Sequence, residues 1–272
     1  YIFKLILSII ILLNFAKNAF SQEKIDDIEV IGISPLPGIE IDRNKVPNAS
    51  QSLREIDMES STATTIVDLL GEKLTGVTIK DVQNSPFQKN LDYRGFTAAP
   101  LLGESQGLAV YLNGTRINEG FGDTLQWELV PEAALTNIDL MSSNPVFGLN
   151  ALGGSLALTT KKGLDYLNTE SSIENHFEVG GADWVNGNIE LGAGTETQGL
   201  YVAMENSYDG GWRDNSAGDV KRLFVNYGIL GDNFDYDFTF MNADSNLNGN
   251  GVSPTELLKV RRESVFTWPD FT

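Results

Sequence analysis

Cysteine is absent from the 272 residues, histidine occurs once, and 19 Lys and Arg face 37 Asp and Glu, for a formal charge of −18. Without cysteine there is no disulfide framework and no thiol nucleophile. The one histidine, His176, alternates with Glu174 and Glu178 and does not supply the three or four ligands of a metal site or a Ser-His-Asp constellation. An acidic chain is poorly suited to a phosphate backbone, so no nucleic-acid partner is expected. The G-x-x-x-x-G-K-[ST] pattern is missing as well, and neither a nucleotide nor any other cofactor is expected.

What is present begins with export. Lys4 precedes an apolar run over residues 5–16, broken by Ser8 and Asn14, that is shorter than the about 20 residues of a spanning helix. Ala19-Phe20-Ser21 places small residues where a signal peptidase cuts, so residues 1–21 are expected to be a signal peptide cleaved after Ser21, an uncleaved anchor being the alternative. Residues 22–50 read as a tail, with Pro35, Pro37 and Pro47 favouring extended backbone. Within it Asp27, Ile28, Glu29, Val30, Ile31, Gly32 and Ile33 form a strand-like stretch suited to addition on a partner's sheet edge. A disordered leader remains open on these residues alone.

Residues 51–163 read as a small mixed α/β domain. Ile66, Leu69, Leu70 and Leu74 fall at helical spacing, and Gly76 ends the helix before a strand through Val77 and Ile79. Asn113-Gly114 between apolar runs is a hairpin signal. Pro131 opens a short helical stretch, PEAAL, ahead of the strand NIDLM, and SLALTTKKG is a last strand. Gly148, Gly153 and Gly154 are expected at tight turns and close backbone approaches.

From about residue 170 onward period-two alternation replaces helix signals. Five segments each carry one apolar face, among them Leu200, Val202 and Met204, then Leu223, Val225, Tyr227 and Ile229. In FDYDFTF, Phe234, Tyr236, Phe238 and Phe240 share one face, and Asp235, Asp237 and Thr239 the other. Connections alternate short and long, the last running over residues 242–262, as in outer-membrane barrels with short periplasmic turns and long outer loops. Lipid is then expected on the apolar face, and Glu174, His176, Glu178, Asp235 and Asp237 on the lumen side.

The stretches DLLGEKLTGVTIKD, NLDYRGFT, GLAVYLNGTRIN and NPVFGLNALGGSLALTTKKG resemble the plug of TonB-dependent outer-membrane receptors, and the likeness extends over essentially all of the chain. The resemblance implies an α+β plug followed by the N-terminal part of an antiparallel transmembrane β-barrel: signal peptide 1–21, periplasmic tail with a TonB box 22–50, plug 51–163 and first barrel strands 164–272. It implies a transporter, not an enzyme, of a Gram-negative outer membrane, energised by TonB. The substrate would be a ferric siderophore, cobalamin or a glycan, so a small molecule or an oligosaccharide. Residues 27–33 lie where the family's TonB box lies, although Gly32 stands where many members carry a small hydroxylated residue. Tyr93, Arg94 and Gly95 match its Arg-Gly motif, and Arg94 could pair with Glu174 or Glu178 on the wall. Family barrels have 22 strands, whereas 109 residues follow Gly163, and the chain begins at Tyr1 rather than Met, so a longer gene product is expected.

Other readings of the same residues are a secreted β-rich hydrolase using Asp235 and Asp237, which a strand would hold about 6.8 Å apart, and a periplasmic plug-like binding module. Asp244, Asn246, Asn248 and Gly249 match the opening of an EF-hand loop, but its twelfth position is Thr255 and Glu256 arrives one residue late.

Overall fold

The computed structural model describes residues 30–32, 40–42, 50–143, 145–180, 183–250 and 253–266. The first strands, β1 (Val30–Gly32) and β2 (Glu40–Asp42), pair antiparallel. Strand β3 (Ser50–Arg54) runs into a short helix, α1 (Glu55–Glu59), and then into α2 (Ile66–Lys73). The Thr65 hydroxyl accepts the Asp68 amide at the N-terminus of α2, while Ile66, Val67, Leu69 and Leu70 bury the inner stripe that the spacing anticipates.

The chain continues through β4 (Val77–Lys80), β5 (Asn90–Tyr93) and β6 (Phe96–Ala98), which form a three-stranded sheet. Next come β7 (Leu108–Leu112), β8 (Thr115–Arg116), β9 (Leu135–Ser142) and β10 (Gly154–Thr160). With β3 they make a five-stranded sheet in the order β3-β9-β10-β7-β8, β10 lying parallel to β7 and antiparallel to β9. Asn113 and Gly114 join β7 to β8 at φ 48° and 82°, the left-handed pair that this hairpin turn requires. PEAAL forms only a 3-10 turn over Glu132–Ala134 before β9 begins at Leu135. Leu70, Leu91, Leu108, Leu125, Ile138, Leu140 and Leu156 fill the core between α2 and the sheets, closed by Trp127.

The remaining strands, β11 (Ser172–Val179), β12 (Val185–Gly194), β13 (Gln198–Asp209), β14 (Gly218–Ile229) and β15 (Tyr236–Leu247), form one antiparallel sheet in chain order, here called the wall. Its last three strands have 12 residues each, enough to cross a bilayer at a tilt. The register aligns the apolar faces: Leu191 stands opposite Val202, Val202 opposite Val225 and Val225 opposite Phe240. That face points away from the β3–β10 unit, with Met204, Phe238 and Phe240 exposed, whereas Tyr201, Ala203, Val220 and Phe224 are buried on the other. Two boundaries differ from the sequence reading. Residues 242–247 belong to β15, because the ladder to β14 continues to the Gly218–Leu247 pair. Phe234 and Asp235 precede β15 instead of sharing its faces. After the wall, α3 (Thr255–Val260) is the last described element. No helix among the described residues is long and apolar enough to cross a membrane, which says nothing of strands.

Leu156 is 0% exposed at the centre of β10 and belongs to the main core. Leu156→Ala is expected to cost about 2–5 kcal/mol, and Val260→Ala on exposed α3 almost nothing. Urea midpoints of the full-length protein, followed by tryptophan fluorescence, check both.

Candidate functional site: where the β3–β10 unit meets the wall

The inner face of β13 and β14 carries Glu205 and Arg222 directly opposite one another. Arg222 is where the β3–β10 unit and the wall engage. Its Nη1 donates to the Glu205 carboxylate, its Nη2 to Glu132 Oε1 at 3.0 Å, and its Nε to the Glu128 carbonyl at 2.8 Å. The other Glu132 oxygen accepts the amide of Ile66, the first residue of α2, at 2.9 Å. Glu205 Oε2 accepts the Ala133 amide at 3.3 Å, and its Oε1 the Ser207 hydroxyl at 3.1 Å. The side chains of Arg222 and Glu205 are both only 4% exposed, so charge and hydrogen bonding must be satisfied internally. Two carboxylates share one guanidinium. Desolvation therefore outweighs the pull of Arg222 and pushes Glu132 up to about 7. Burial likewise raises Glu128, whose carboxylate receives only a long hydrogen bond from Gln88.

A second attachment lies where the chain passes from β10 into the wall. Lys161 Nζ is 2.7 Å from Glu190, 3.0 Å from Glu55 and 3.7 Å from Glu174. Burial opposes its charge, but the hydrogen bonds to Glu190 and Glu55 prevail and hold it above the ordinary lysine range. Asn226, fully buried on β14, accepts the Gly163 amide at 2.6 Å and donates to Asp237 at 2.6 Å and Thr239 at 2.9 Å. A Cβ at Gly163 would stand 2.2 Å from the Gly199 carbonyl oxygen, so two backbones touch where a side chain would separate them. Apolar packing joins these polar ties: Ala134 sits among Tyr201, Ala203 and Phe224, and Phe87 packs against Trp184 and Val220.

The residues singled out from sequence fall unevenly on this interface. Glu174 reaches Lys161, and Asp237 reaches Lys162 at 3.7 Å. His176 and Glu178 share the Glu174 face of β11. Asp235, expected on the inner face of the strand, is a turn residue that accepts the Gly231 amide at 3.4 Å. It therefore does not form a strand-borne carboxylate pair with Asp237, and the hydrolase reading loses its geometry. Tyr93 is buried, and Arg94 and Gly95 make the left-handed turn after it, at φ 56° and 84°. The guanidinium of Arg94 lies 5.0 Å over the Tyr93 ring, whereas Glu174 is met by Lys161. Gly148 has φ 77°, a Cβ at Gly153 would strike the Phe96 side chain, and one at Gly154 would stand 2.5 Å from the Met141 carbonyl. Asp244 and Asn246 lie within β15, so they do not form an EF-hand loop. Val30, Ile31 and Gly32 form β1, with Ile31 opposite Ile41; Asp27, Ile28, Glu29 and Ile33 lie outside the described residues. Sequence reasoning missed Arg222, Glu205, Glu132, Lys161 and Asn226. For Glu205, Arg222 and Asn226 the available signal was a charged or amide residue on the polar face of a strand that is otherwise lipid-like; Glu132 and Lys161 lie outside the strands and gave none.

Residues 42–155 match the family model of the TonB-dependent receptor plug domain. No curated protein matches the chain by sequence. Among solved structures, the unliganded ferric citrate transporter FecA is 15% identical with a TM-score of 0.63, over 80% of this chain and 34% of that one. The copper transporter OprC is 12% identical with a TM-score of 0.61, over 83% and 32%. The pyoverdine outer membrane receptor FpvA from Pseudomonas aeruginosa PAO1, bound to pyoverdine, is 11% identical with a TM-score of 0.58, over 76% and 28%. The chain thus spans about a third of the length of these structures and shares their fold.

Arg222→Gln leaves two buried carboxylates without their cation and is expected to cost about 3–5 kcal/mol of plug docking, read as a lower urea midpoint. Glu132→Gln retains the Glu205 partner and is expected to be milder. The Glu132 carboxyl keeps its proton to about pH 7 in the fold but ionises nearer 4.5 when unfolded, so its contribution is full below 4.5 and lost as pH rises through 7. Midpoints measured from pH 4.5 to 8 should show this component in the parent and its absence in Glu132→Gln.

Proposed function

We propose that this chain, a TonB-dependent receptor plug joined to the first strands of its barrel, works in an outer-membrane transporter that takes up a scarce nutrient. The observation that carries the reading is a plug tied by Arg222 and Lys161 to the inner face of a sheet whose outer face is apolar. Such a sheet suits lipid on one side and a polar lumen on the other, and the plug occupies that lumen side. In this reading residues 1–21 direct export and are removed, and residues 22–50 are a periplasmic tail. The plug covers residues 51–163, and residues 164–272 begin the barrel.

The stretch around Val30, Ile31 and Gly32 is the point at which TonB would attach. A strand there can extend a sheet on the partner, giving a main-chain grip through which force reaches the plug. Transport in this scheme moves the plug and breaks no covalent bond. Metal chelates are the first substrates to test, since ferric citrate and pyoverdine appear in the names of structures with this fold. Cobalamin and oligosaccharides are the other classes.

Ile31→Pro removes one backbone donor from β1 and is expected to abolish both capture of the full-length receptor by the periplasmic domain of TonB and energy-dependent uptake of chelated iron. Undiminished capture would show that TonB attaches elsewhere. Mass spectrometry of the mature protein should find its N-terminus at Gln22; retention of residues 1–21 would favour an anchor.

A further inference from the structure

Three turns meet at the end of the plug sheet where β7 and β10 begin. Parallel pairing sets Gly154 beside Leu108, and the Gly153 amide donates to the Gly107 carbonyl at 2.9 Å. The Leu125 amide donates to the Ala99 carbonyl at 2.9 Å, and the Asn150 side chain donates to Asp123. Residues 99–107, 117–125 and 147–153 are thereby gathered at one place. Lys161 and the seat on the wall lie beyond the opposite end of β10, about 20 Å away along the strand.

Each turn is held by polar bonds of its own. Gln106 Nε2 donates to the carbonyls of Ala99 and Leu101, both at 3.1 Å. The Glu119 carboxylate accepts the Thr124 hydroxyl at 3.0 Å, and the Glu119 amide donates to the Thr124 carbonyl at 2.8 Å. On this fixed backbone Leu102, Phe121, Leu149 and Leu152 are exposed, Phe121 by 78% and Leu149 by 82%. A Cβ on Gly122 would strike the Leu102 side chain, so Leu102 lies against the turn that carries Phe121. Apolar side chains gathered on backbone that is already ordered suit the binding of a small molecule, because little ordering remains to oppose it.

Charge narrows the class of that molecule. The three turns contain Glu104, Glu119 and Asp123 and no Lys or Arg, and Arg116 beside them is paired with Asp123. A carboxylate or phosphate brought here would lose water and find no free cation in the turns.

We propose that this end of the plug selects its substrate for an uncharged, apolar surface and disfavours anionic chelates. The inference rests on the transporter reading and narrows its substrate class.

Three iron complexes test it by quenching of tryptophan fluorescence in the full-length receptor: neutral ferric tris-benzohydroxamate, neutral ferric tris-acetohydroxamate, which lacks the rings, and anionic ferric citrate. The benzohydroxamate complex is expected to bind about tenfold more tightly than the acetohydroxamate complex, without competition from ferric citrate. Phe121→Ser combined with Leu149→Ser should remove most of that preference. Ferric citrate binding as tightly as the aryl complex, or a preference unchanged in the double variant, would overturn the proposal. Urea midpoints supply a second measurement. The double variant should keep the parent midpoint, and a fall as large as that of Leu156→Ala would show that another part of the full-length chain covers these side chains, which also overturns it. The expected preference without energy-dependent uptake of the aryl complex would uphold the site and count against the transporter reading instead.

Discussion

Arg222 brings a positive charge to the inner face of the wall at the point where Glu205, Glu132 and the Glu128 carbonyl converge. The Arg222 guanidinium is the group that all three share. Glu132 also accepts the first amide of α2 and Glu205 the amide of Ala133, so the same cluster positions the helix, the chain entering β9 and two wall strands. Moving the plug away takes Glu132 and the Glu128 carbonyl from Arg222 and the Ala133 amide from Glu205, and a buried ion pair that loses its supporting hydrogen bonds is costly. The interface is therefore a latch with a definite seat, unlike a greasy contact that could slide.

Lys161 and Asn226 complete the seat where the chain enters the wall. Their bonds reach Glu190, Glu55, Asp237 and the Gly163 backbone, so the C-terminal edge of the plug is held by the strands that follow it. Glu55 belongs to α1, beside the edge strand β3, and joins this seat through its ion pair with Lys161. Pairing with β9 ties β3 to the rest of its sheet.

Local features were legible wherever a few adjacent residues decide the backbone. Asn113-Gly114 adopts its left-handed turn because those two residues tolerate positive φ, and α2 follows from its spacing and the Thr65 cap. The short helix expected from PEAAL failed for a non-local reason: the chain must enter β9 at once, and the Glu132 side chain is committed to Ile66 and Arg222. The end of β15 was misplaced similarly, since polar residues 242–247 are held by a ladder to β14 that composition does not reveal. Arg94 gave a comparable miss: its motif was visible, but the guanidinium lies over the Tyr93 ring and Glu174 pairs with Lys161 instead.

By itself the sequence determined the two faces of the wall, the plug's local elements and the order of plug before strands, because side-chain period and turn chemistry act over neighbouring residues. Only the tertiary structure decided which inward polar groups meet. Arg222 and Glu132 are 90 residues apart in the chain, and Glu205 becomes their neighbour through strand register. Pairing across such distances depends on how sheets dock and on which charges are desolvated together, and no local pattern encodes that.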